Sequence, residues 1–282
     1  MKTLKFILIC ILSLILSCCS EESAIESKLK STPGLIAYWT FDGKDKYHSK
    51  GKENLELING TQNHVQIIKD GPISGHSILL DGTNYLYITH KETGLLDIHT
   101  NCVTVMAWVK WSGEQIGFVG GMWNEYQDGG KRQYGLFVSL PAYNGENQVC
   151  GHISKTGRPT PPFPYSIDYS ASKQKVEPNK WCFIAFTYDG EYIKSYYNGV
   201  FEKREPELIS NTSGFPGCEN GLTHSKNPHY FPDGMGNNGS DFTVGAVLLK
   251  SGMGNFFKGQ IGGLAVFDRA LTDNEITFFV NR

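Results

Sequence analysis

Short β-type segments recur along most of the chain, separated by turn-forming Gly, Asn, Asp and Pro residues. Their β-branched and aromatic residues favour strands, which we predict at 35–41, 77–80, 85–88, 103–109, 134–140, 181–188, 193–197, 242–248 and 262–267. Hairpin-type turns are predicted at Asp189-Gly190 and Asn198-Gly199, because both dipeptides tolerate positive φ. Helical character is confined to 271–280, where Thr272 and Glu275 form a capping-box pattern. The pattern predicts an all-β, two-sheet sandwich.

The first residues have the composition of an export signal. Lys2 and Lys5 precede an apolar run at 6–16 that is too short for a permanent membrane span. Ile15-Leu16-Ser17-Cys18 resembles the lipobox of bacterial lipoproteins, which implies cleavage of residues 1–17 and lipidation of Cys18. The adjacent Cys19 leaves the choice of cysteine open, and an ordinary secretory signal is the alternative.

Residues 18–33 are expected to form a flexible tether. Ser, Glu and Lys dominate 20–32, and so few large apolar residues cannot bury enough surface to order the segment. Ser20-Glu21-Glu22 is similar to the acidic tether of surface-exposed lipoproteins in Bacteroidetes-type bacteria. We therefore expect an exported protein, lipid-anchored in the outer membrane and exposed at the cell surface, with one folded domain over 34–282.

The charge balance argues against a nucleic-acid partner. Two of the 26 Lys and Arg lie in the signal, which leaves 24 against 28 Asp and Glu and a formal charge of −4. The chain has 14 Tyr, 16 Phe, 5 Trp and 32 Gly, so aromatic rings are available for stacking on sugars as well as for core packing.

Four cysteines lie in the expected folded domain over 34–282, in an exported protein where disulfides can persist. Cys102 and Cys182 lie inside apolar strand patterns, whereas Cys150 and Cys218 lie in turn-rich sequence. We favour a Cys150–Cys218 bridge that closes a long loop, with four free thiols as the alternative.

Five segments in order resemble the bacterial laminin-G-like domain, a concanavalin-A-like lectin/glucanase fold. They are 34–43 (GLIAYWTFDG), 80–86 (LDGTNYL), 103–109 (VTVMAWV), 186–190 (FTYDG) and the closing 257–276 (FKGQIGGLAVFDRALTDNEI). The resemblance covers residue 34 to about the C-terminus. It implies a two-sheet antiparallel jelly-roll sandwich.

The resemblance also implies a structural Ca²⁺ between an early acidic loop and the closing motif. Asp42, Asp45 and Asp268 are the candidate ligands. The early loop carries four lysines where a hard cation prefers oxygens, so surface turn acids are the equal alternative.

Two stretches, 120–176 and 205–241, are longer than the laminin-G-like pattern needs, and we interpret them as loop insertions that carry the ligand site. The alternative for Trp123 is a plug that packs a loop against the sheet, and for Tyr230 a pin for a long loop. The candidate ligand-binding residues are Trp123, Asn124, Glu125, Tyr126, Arg132, His152, Tyr165, Asp168 and Tyr169 in the first stretch, and His229, Tyr230 and Asp233 in the second.

Glycan binding is the function these features favour. Glycoside hydrolysis normally needs two carboxylates about 5–9 Å apart, and the Glu-x-Asp-x-x-Glu strand of the laminarinase-like and agarase-like relatives does not occur here. We therefore predict a surface-tethered module for polysaccharide capture. One alternative is a hydrolase or polysaccharide lyase that uses Glu125, His152, Asp168, Tyr169 or His229. A second is an adhesin that binds another protein.

Overall fold

The computed structural model describes residues 23–43, 46–125, 129–141, 145–160, 169–205, 208–209, 222–223 and 226–280. Its helices are α1 Ala24–Ser31 and α2 Asp273–Phe278, and its 3₁₀ turns are His90–Glu92 and Gly94–Leu96. The strands, in chain order, are β1 Leu35–Trp39, β2 Lys50–Gly51, β3 Ile58–Asn59, β4 Gln66–Ile68, β5 Ser77–Asp81, β6 Leu86–Ile88, β7 Val103–Trp111, β8 Gly117–Met122, β9 Tyr134–Leu140, β10 Gly145–Ile153, β11 Tyr169–Lys175, β12 Cys182–Tyr188, β13 Tyr192–Tyr197, β14 Val200–Phe201, β15 Leu208–Ile209, β16 Leu222–Thr223, β17 His229–Tyr230, β18 Phe242–Val244, β19 Val247–Leu249, β20 Gly252–Gly254 and β21 Lys258–Phe267.

Two antiparallel sheets account for most of the described strands. The ten-stranded sheet has the order β14-β13-β12-β7-β21-β1-β2, with β17 beside β13 and the β4–β5 pair beside β21. The seven-stranded sheet has the order β11-β10-β9-β8-β18-β6-β3. Two ribbons, β15–β16 and β19–β20, complete the described β-structure. The predicted two-sheet sandwich is confirmed.

Three apolar layers hold the sandwich together. An inter-sheet core joins the facing sides of both sheets, for example Val105 and Phe186 with Leu136 and Val244. Because side chains alternate along a strand, the intervening residues face outward. On the ten-stranded sheet they form a back cluster that contains Tyr38, Met106, Trp108, Phe183 and Phe267. On the seven-stranded sheet they form a front cluster of Phe118, Trp123, Phe137, Cys150, Tyr169, Ala171 and Val247.

The expectation of a flexible tether over 18–33 is wrong for its second half, where α1 forms. The Ser23 side chain caps the helix by accepting a hydrogen bond from the Glu26 backbone N–H at 3.2 Å. Ile25 and Leu29 are one helical turn apart, so both reach the back cluster, where they are 2% and 1% exposed. Two apolar residues at this spacing suffice to dock the helix. Each contributes about 1.5–3 kcal/mol by burial.

An ion pair adds to the docking of α1. Lys50 Nζ lies 3.0 Å from Glu26 Oε1 and 3.0 Å from Asp42 Oδ2. These two carboxylates outweigh burial and raise the pKa of Lys50 above its ordinary value. Lys50 is therefore charged at any pH at which the fold is stable, and it joins the helix to the first loop of the sandwich.

The interpretation of 120–176 as a loop insertion is wrong. The stretch contains the end of β8 and all of β9, β10 and β11, which together make more than half of the seven-stranded sheet. Its glycines are packing residues, since a Cβ on Gly151 would lie 2.4 Å from the ring of Phe186 on the other sheet. The glycine-rich composition therefore reflects close approach of the two sheets rather than loop structure.

The second stretch, 205–241, is largely irregular where it is described, with the short β15, β16 and β17. The predicted turns are confirmed: Asn198 and Gly199 have φ of 48° and 75°, and Gly190 has φ of 99°. The capping box at the start of α2 is also confirmed, because Thr272 and Glu275 bond to each other's backbone N–H groups. Among the described helices, none has the length and apolar character needed to cross a membrane.

Cys150 lies inside β10 and not in irregular sequence. Its side chain is fully buried in the front cluster. The thiols of Cys102, Cys150 and Cys182 are all free. Burial raises the pKa of Cys150 to about 12, which keeps the group a neutral thiol. Cys218, its predicted disulfide partner, lies outside the described residues, as does the lipidation candidate Cys18.

Candidate functional site

One row of paired residues crosses the outer face of the seven-stranded sheet. Residues directly opposite each other on neighbouring strands point to the same side. Leu86 and Ile88 point into the inter-sheet core, so Tyr87 between them points outward. From β6 to β11 the row is Tyr87, Thr243, Gly121, Gly135, His152 and Tyr169.

The β8–β11 half of this face is filled by aromatic rings. The Trp123 ring centroid lies 4.5 Å from that of His152, which lies 5.0 Å from that of Tyr169. Gly135 makes room for them, since a Cβ there would be 2.9 Å from Phe137 and 3.4 Å from Trp123. Trp123, His152 and Tyr169 are 2%, 4% and 1% exposed. Their placement matches the alternative of a plug rather than an open sugar platform, because neighbouring side chains cover the ring faces.

Glu125 and Arg132 lie beside Trp123 and hold it. Glu125 Oε1 accepts a hydrogen bond from Trp123 Nε1 at 3.2 Å, and its Oε2 lies 3.7 Å from Arg132 Nη2. The Arg132 guanidinium lies 5.8 Å from the Trp123 ring and donates to the Gly157 carbonyl at 3.1 Å. The predicted site residues Trp123, Glu125 and Arg132, between β8 and β9, thus lie together, but their polar groups bond to one another.

The two predicted histidines are neutral at pH 7. Burial, with the charges of Arg132 and His229, holds the pKa of His152 well below its ordinary value. Burial and Lys226 lower the pKa of His229 to about 4. Neither imidazole is therefore a cation that could pair with an acidic ligand at neutral pH.

The predicted residues of the second stretch belong to the other sheet. His229 and Tyr230 form β17 beside β13, and the exposed Tyr230 ring lies 5.2 Å from that of Tyr192. Asp233 is exposed in the loop that follows. These residues do not join the row on the seven-stranded sheet. Tyr126, Tyr165 and Asp168 lie outside the described residues.

The β6–β18 half of the outer face is open and holds a pocket of ≈ 260 Å³. Tyr85 and Tyr87 are partly exposed there, with ring centroids 6.1 Å apart and planes at 43°. Leu248 and Met253 from the β19–β20 ribbon add apolar atoms. We call this the tyrosine pocket; its described lining is Tyr85, Tyr87, Trp123, Asn124, Ser240, Asp241, Thr243, Leu248 and Met253.

Thr243 supplies an unsatisfied hydroxyl to the tyrosine pocket. The side chain is 7% exposed, and its Oγ1 has no hydrogen-bond partner among the described residues. The atom is enclosed by protein in this structure, so a ligand hydroxyl or a water bonds to it only when the pocket floor opens, and it then relieves a cost of about 1–3 kcal/mol.

Two further groups offer hydrogen bonds in the pocket. Asp241 is exposed and uses Oδ1 to accept the His90 backbone N–H at 2.7 Å. Burial, with Tyr87 and Asp241 nearby, raises the pKa of Tyr85, which keeps its phenol protonated and able to donate. A tyrosine face, a free carboxylate oxygen and hydroxyl groups together can hold a polyhydroxylated ligand.

Sequence reasoning found two members of this pocket, Trp123 and Asn124, and missed its open side. The signal for the rest was the alternation in Tyr85-Leu86-Tyr87-Ile88, where inward Leu and Ile leave both tyrosines on the outer face. Asp241 and Thr243 had no comparable signal, since their role depends on the pairing of β18 with β6 and β8.

The calcium expectation finds no support in the placement of its ligands. Asp42 pairs with Lys50 at 3.0 Å, and Asp268 pairs with Lys52 at 3.3 Å. A lysine ammonium beside each acid is an unfavourable neighbour for a hard cation, and the calcium site stays a prediction. Within the described residues no three His, Cys, Asp or Glu side chains are grouped to hold a metal, and Asp45 lies outside them.

Comparison with protein families agrees with this architecture. The model of the concanavalin A-like lectin/glucanases superfamily, of the laminin-G type, matches residues 80–216. Residues 80–216 are therefore similar to the laminin-G-like domains of this superfamily. The matched residues include both pocket tyrosines and Trp123, whereas Asp241, Thr243 and the β19–β20 ribbon lie beyond them.

Solved structures show the same fold for the laminin-G-like domain. Domain 4 of AbnA, an extracellular arabinanase from Geobacillus stearothermophilus solved with arabinotriose, is similar with a TM-score of 0.55 and 17% identity, over 88% of this chain and 98% of that one. The binding domain of botulinum neurotoxin DC, solved with SialylT, has a TM-score of 0.53 and 12% identity over 88% of this chain and 51% of that one. The chain thus spans about half of the neurotoxin domain. A search of curated protein sequences found no match.

Proposed function

We propose that the laminin-G-like domain binds a polysaccharide at the tyrosine pocket and acts as a glycan-capture module. The observation that carries the proposal is the placement of two partly exposed tyrosines, Tyr85 and Tyr87, in one pocket with the exposed carboxylate of Asp241. Aromatic faces stack on the C–H surfaces of sugars, and hydroxyl and carboxylate groups bond to sugar hydroxyls. Arabinotriose in the AbnA domain is consistent with a carbohydrate ligand on this fold.

The composition of the pocket supports binding over hydrolysis. Asp241 is the single carboxylic acid among the described lining residues, whereas glycoside hydrolysis uses two about 5–9 Å apart. Glu125, a candidate catalytic acid from the sequence, is bonded to Trp123 and paired with Arg132. Release of reducing sugar from a polysaccharide panel would favour the hydrolase or lyase instead. Binding to a protein with no response to glycans would favour the adhesin.

The test is truncation of the pocket rings. We expect Tyr87→Ala and Tyr85→Ala each to weaken glycan binding by up to about tenfold, because a stacked ring contributes on the order of 0.5–1.5 kcal/mol. Calorimetric titration with a panel of oligosaccharides, arabino-oligosaccharides included, measures the affinity, and a thermal melt checks the fold. Thr243→Val, which keeps the shape and removes the hydroxyl, is expected to weaken binding as well.

The matched control is Phe278→Ala, an exposed ring on α2 behind the other sheet, which is expected to leave binding unchanged. Unchanged affinity in all three pocket variants would contradict the proposal. A loss in Tyr230→Ala alone would move the site to the Tyr192–Tyr230 pair, where Tyr230 remains a sequence-based candidate.

We further propose that the domain is displayed on a lipid anchor at Cys18, exported to the outer membrane and exposed at the surface. The placement of α1 supports such an arrangement. The helix lies on the outer face of the ten-stranded sheet, and the tyrosine pocket lies on the outer face of the seven-stranded one. Attachment through α1 therefore leaves the pocket on the side away from the anchor, where a polysaccharide can reach it.

A further inference from the structure

The charge of the tyrosine pocket comes from one residue. Asp241 is the only carboxylic acid among the described lining side chains, and none of them is Lys, Arg or His. Its Oδ1 accepts the His90 backbone N–H at 2.7 Å, which fixes the carboxylate at the start of β18. In the described part of the chain no basic side chain pairs with it. The pocket therefore carries a formal charge of about −1 at pH 7.

Several carboxylates elsewhere in the described chain pair with lysine or arginine, whereas Asp241 does not. Glu114 pairs with Lys258 at 2.5 Å, Asp70 with Lys110 at 2.5 Å, and Glu275 with Arg269 at 2.5 Å. An exposed carboxylate paired with lysine or arginine adds little negative potential around it. An unpaired carboxylate at a pocket attracts or repels a charged ligand that binds there. Arg132, next to the Trp123 ring, is engaged with Glu125.

A carboxylate next to tyrosine rings distinguishes sugars by charge. It accepts strong hydrogen bonds from vicinal sugar hydroxyls and attracts a protonated amine. It repels the carboxylate of a uronic or sialic acid, and this repulsion grows as the ligand displaces water from the pocket. The burial of Thr243 Oγ1 on the same strand shows that part of the pocket is already shielded from solvent.

We infer that the tyrosine pocket selects neutral or amino sugars against acidic sugars, and that Asp241 is the residue that sets this specificity. The inference rests on the proposed glycan-binding function and names its ligand class. Tyr85 and Tyr87 supply affinity for any sugar face, so the tyrosines alone do not discriminate by charge. The discrimination is electrostatic, and added salt weakens it at this partly open site.

The experiment compares oligosaccharides of equal length that differ in charge: galacto-oligosaccharides, oligogalacturonates and chitosan oligosaccharides, titrated calorimetrically at low and high salt. The wild-type protein is expected to bind the neutral chains at least about tenfold more tightly than the acidic ones. Asp241→Asn keeps an oxygen that can accept the His90 N–H, so the fold is expected to survive. It should reduce the neutral-to-acidic ratio about fivefold or more.

Glu146→Gln is the matched control, since Glu146 is also an exposed acid but lies on β10 outside the pocket. It is expected to leave the ratio unchanged. A wild-type protein that binds acidic and neutral chains equally, or an Asp241→Asn variant with the wild-type ratio, would overturn the inference while the glycan-binding proposal stands. A wild-type protein that binds none of the three series, nor any glycan of the wider panel, would overturn both.

Discussion

At the scale of single residues, burial decides the chemistry of Cys150. The thiol sits among Phe137, Tyr169 and the strand backbone of β10, and burial raises its pKa to about 12. Since the thiolate is the reactive form, Cys150 is expected to be inert in the native protein. The disulfide prediction assumed that Cys150 lies in a loop. Because Cys150 is instead a core residue on β10, the main argument for a bridge to Cys218 no longer holds.

We predict that iodoacetamide leaves Cys150 unmodified in the folded protein and modifies it fully in guanidinium chloride. Peptide mapping by mass spectrometry without reduction measures both states. Cys102, which is only partly buried, is the internal control and should react faster than Cys150 under native conditions. A Cys150–Cys218 peptide in the unreduced digest would show that the original disulfide prediction was right.

At the scale of elements, α1 shows that two apolar residues are enough to order a short helix when the folded domain offers an apolar surface to pack against. The isolated segment is short and rich in Glu, Lys and Ser, so it has no stability of its own. The back cluster supplies the partner surface for Ile25 and Leu29, and Lys50 supplies a charge for Glu26. The stability of the helix is therefore entirely tertiary.

We predict that Leu29→Ala lowers the free energy of unfolding by about 2–5 kcal/mol, because it removes a fully buried side chain from the back cluster. Denaturant titration measures the loss. Ser27→Ala lies in the same helix but faces solvent, and it is expected to change stability by no more than about 0.5 kcal/mol. Equal stability of the two variants would mean that α1 is not docked in solution.

At the scale of the whole molecule, the sandwich places α1 and the tyrosine pocket on opposite sides. The back of the ten-stranded sheet carries α1 and α2, and the front of the seven-stranded sheet carries the tyrosine pocket. The two sheets are joined by a continuous inter-sheet core, so the proposed attachment and the proposed glycan site share one scaffold. The chain between Cys18 and α1 is five residues, which span at most about 20 Å when fully extended.

We predict that Cys18→Ala yields a protein that is neither processed nor retained by membranes, because the lipid is its attachment. Membrane fractionation and mass analysis of the N-terminus measure the outcome. Cys19→Ala is the control and should be processed and anchored as the wild type is. A Cys18→Ala protein that is still acylated and membrane-bound would assign the lipid to another residue.

The sequence by itself determined the class of fold and most of its strands. The near-continuous apolar, β-branched and aromatic runs at 103–109 and 182–188 and the Asn198-Gly199 turn encode local geometry that does not depend on distant partners. The capping box at Thr272 is local in the same way. Such signals survive in one sequence because periodicity and turn chemistry act between near neighbours.

Only the tertiary structure decided where the pocket lies. The sequence left Trp123 either a ligand-binding ring or a plug, and the structure buries it against His152 in the space that Gly135 leaves. Tyr87 and Thr243 are distant in the chain and become neighbours through strand register alone. Exposure and convergence depend on pairing between distant strands, and one sequence carries no local signal for that pairing.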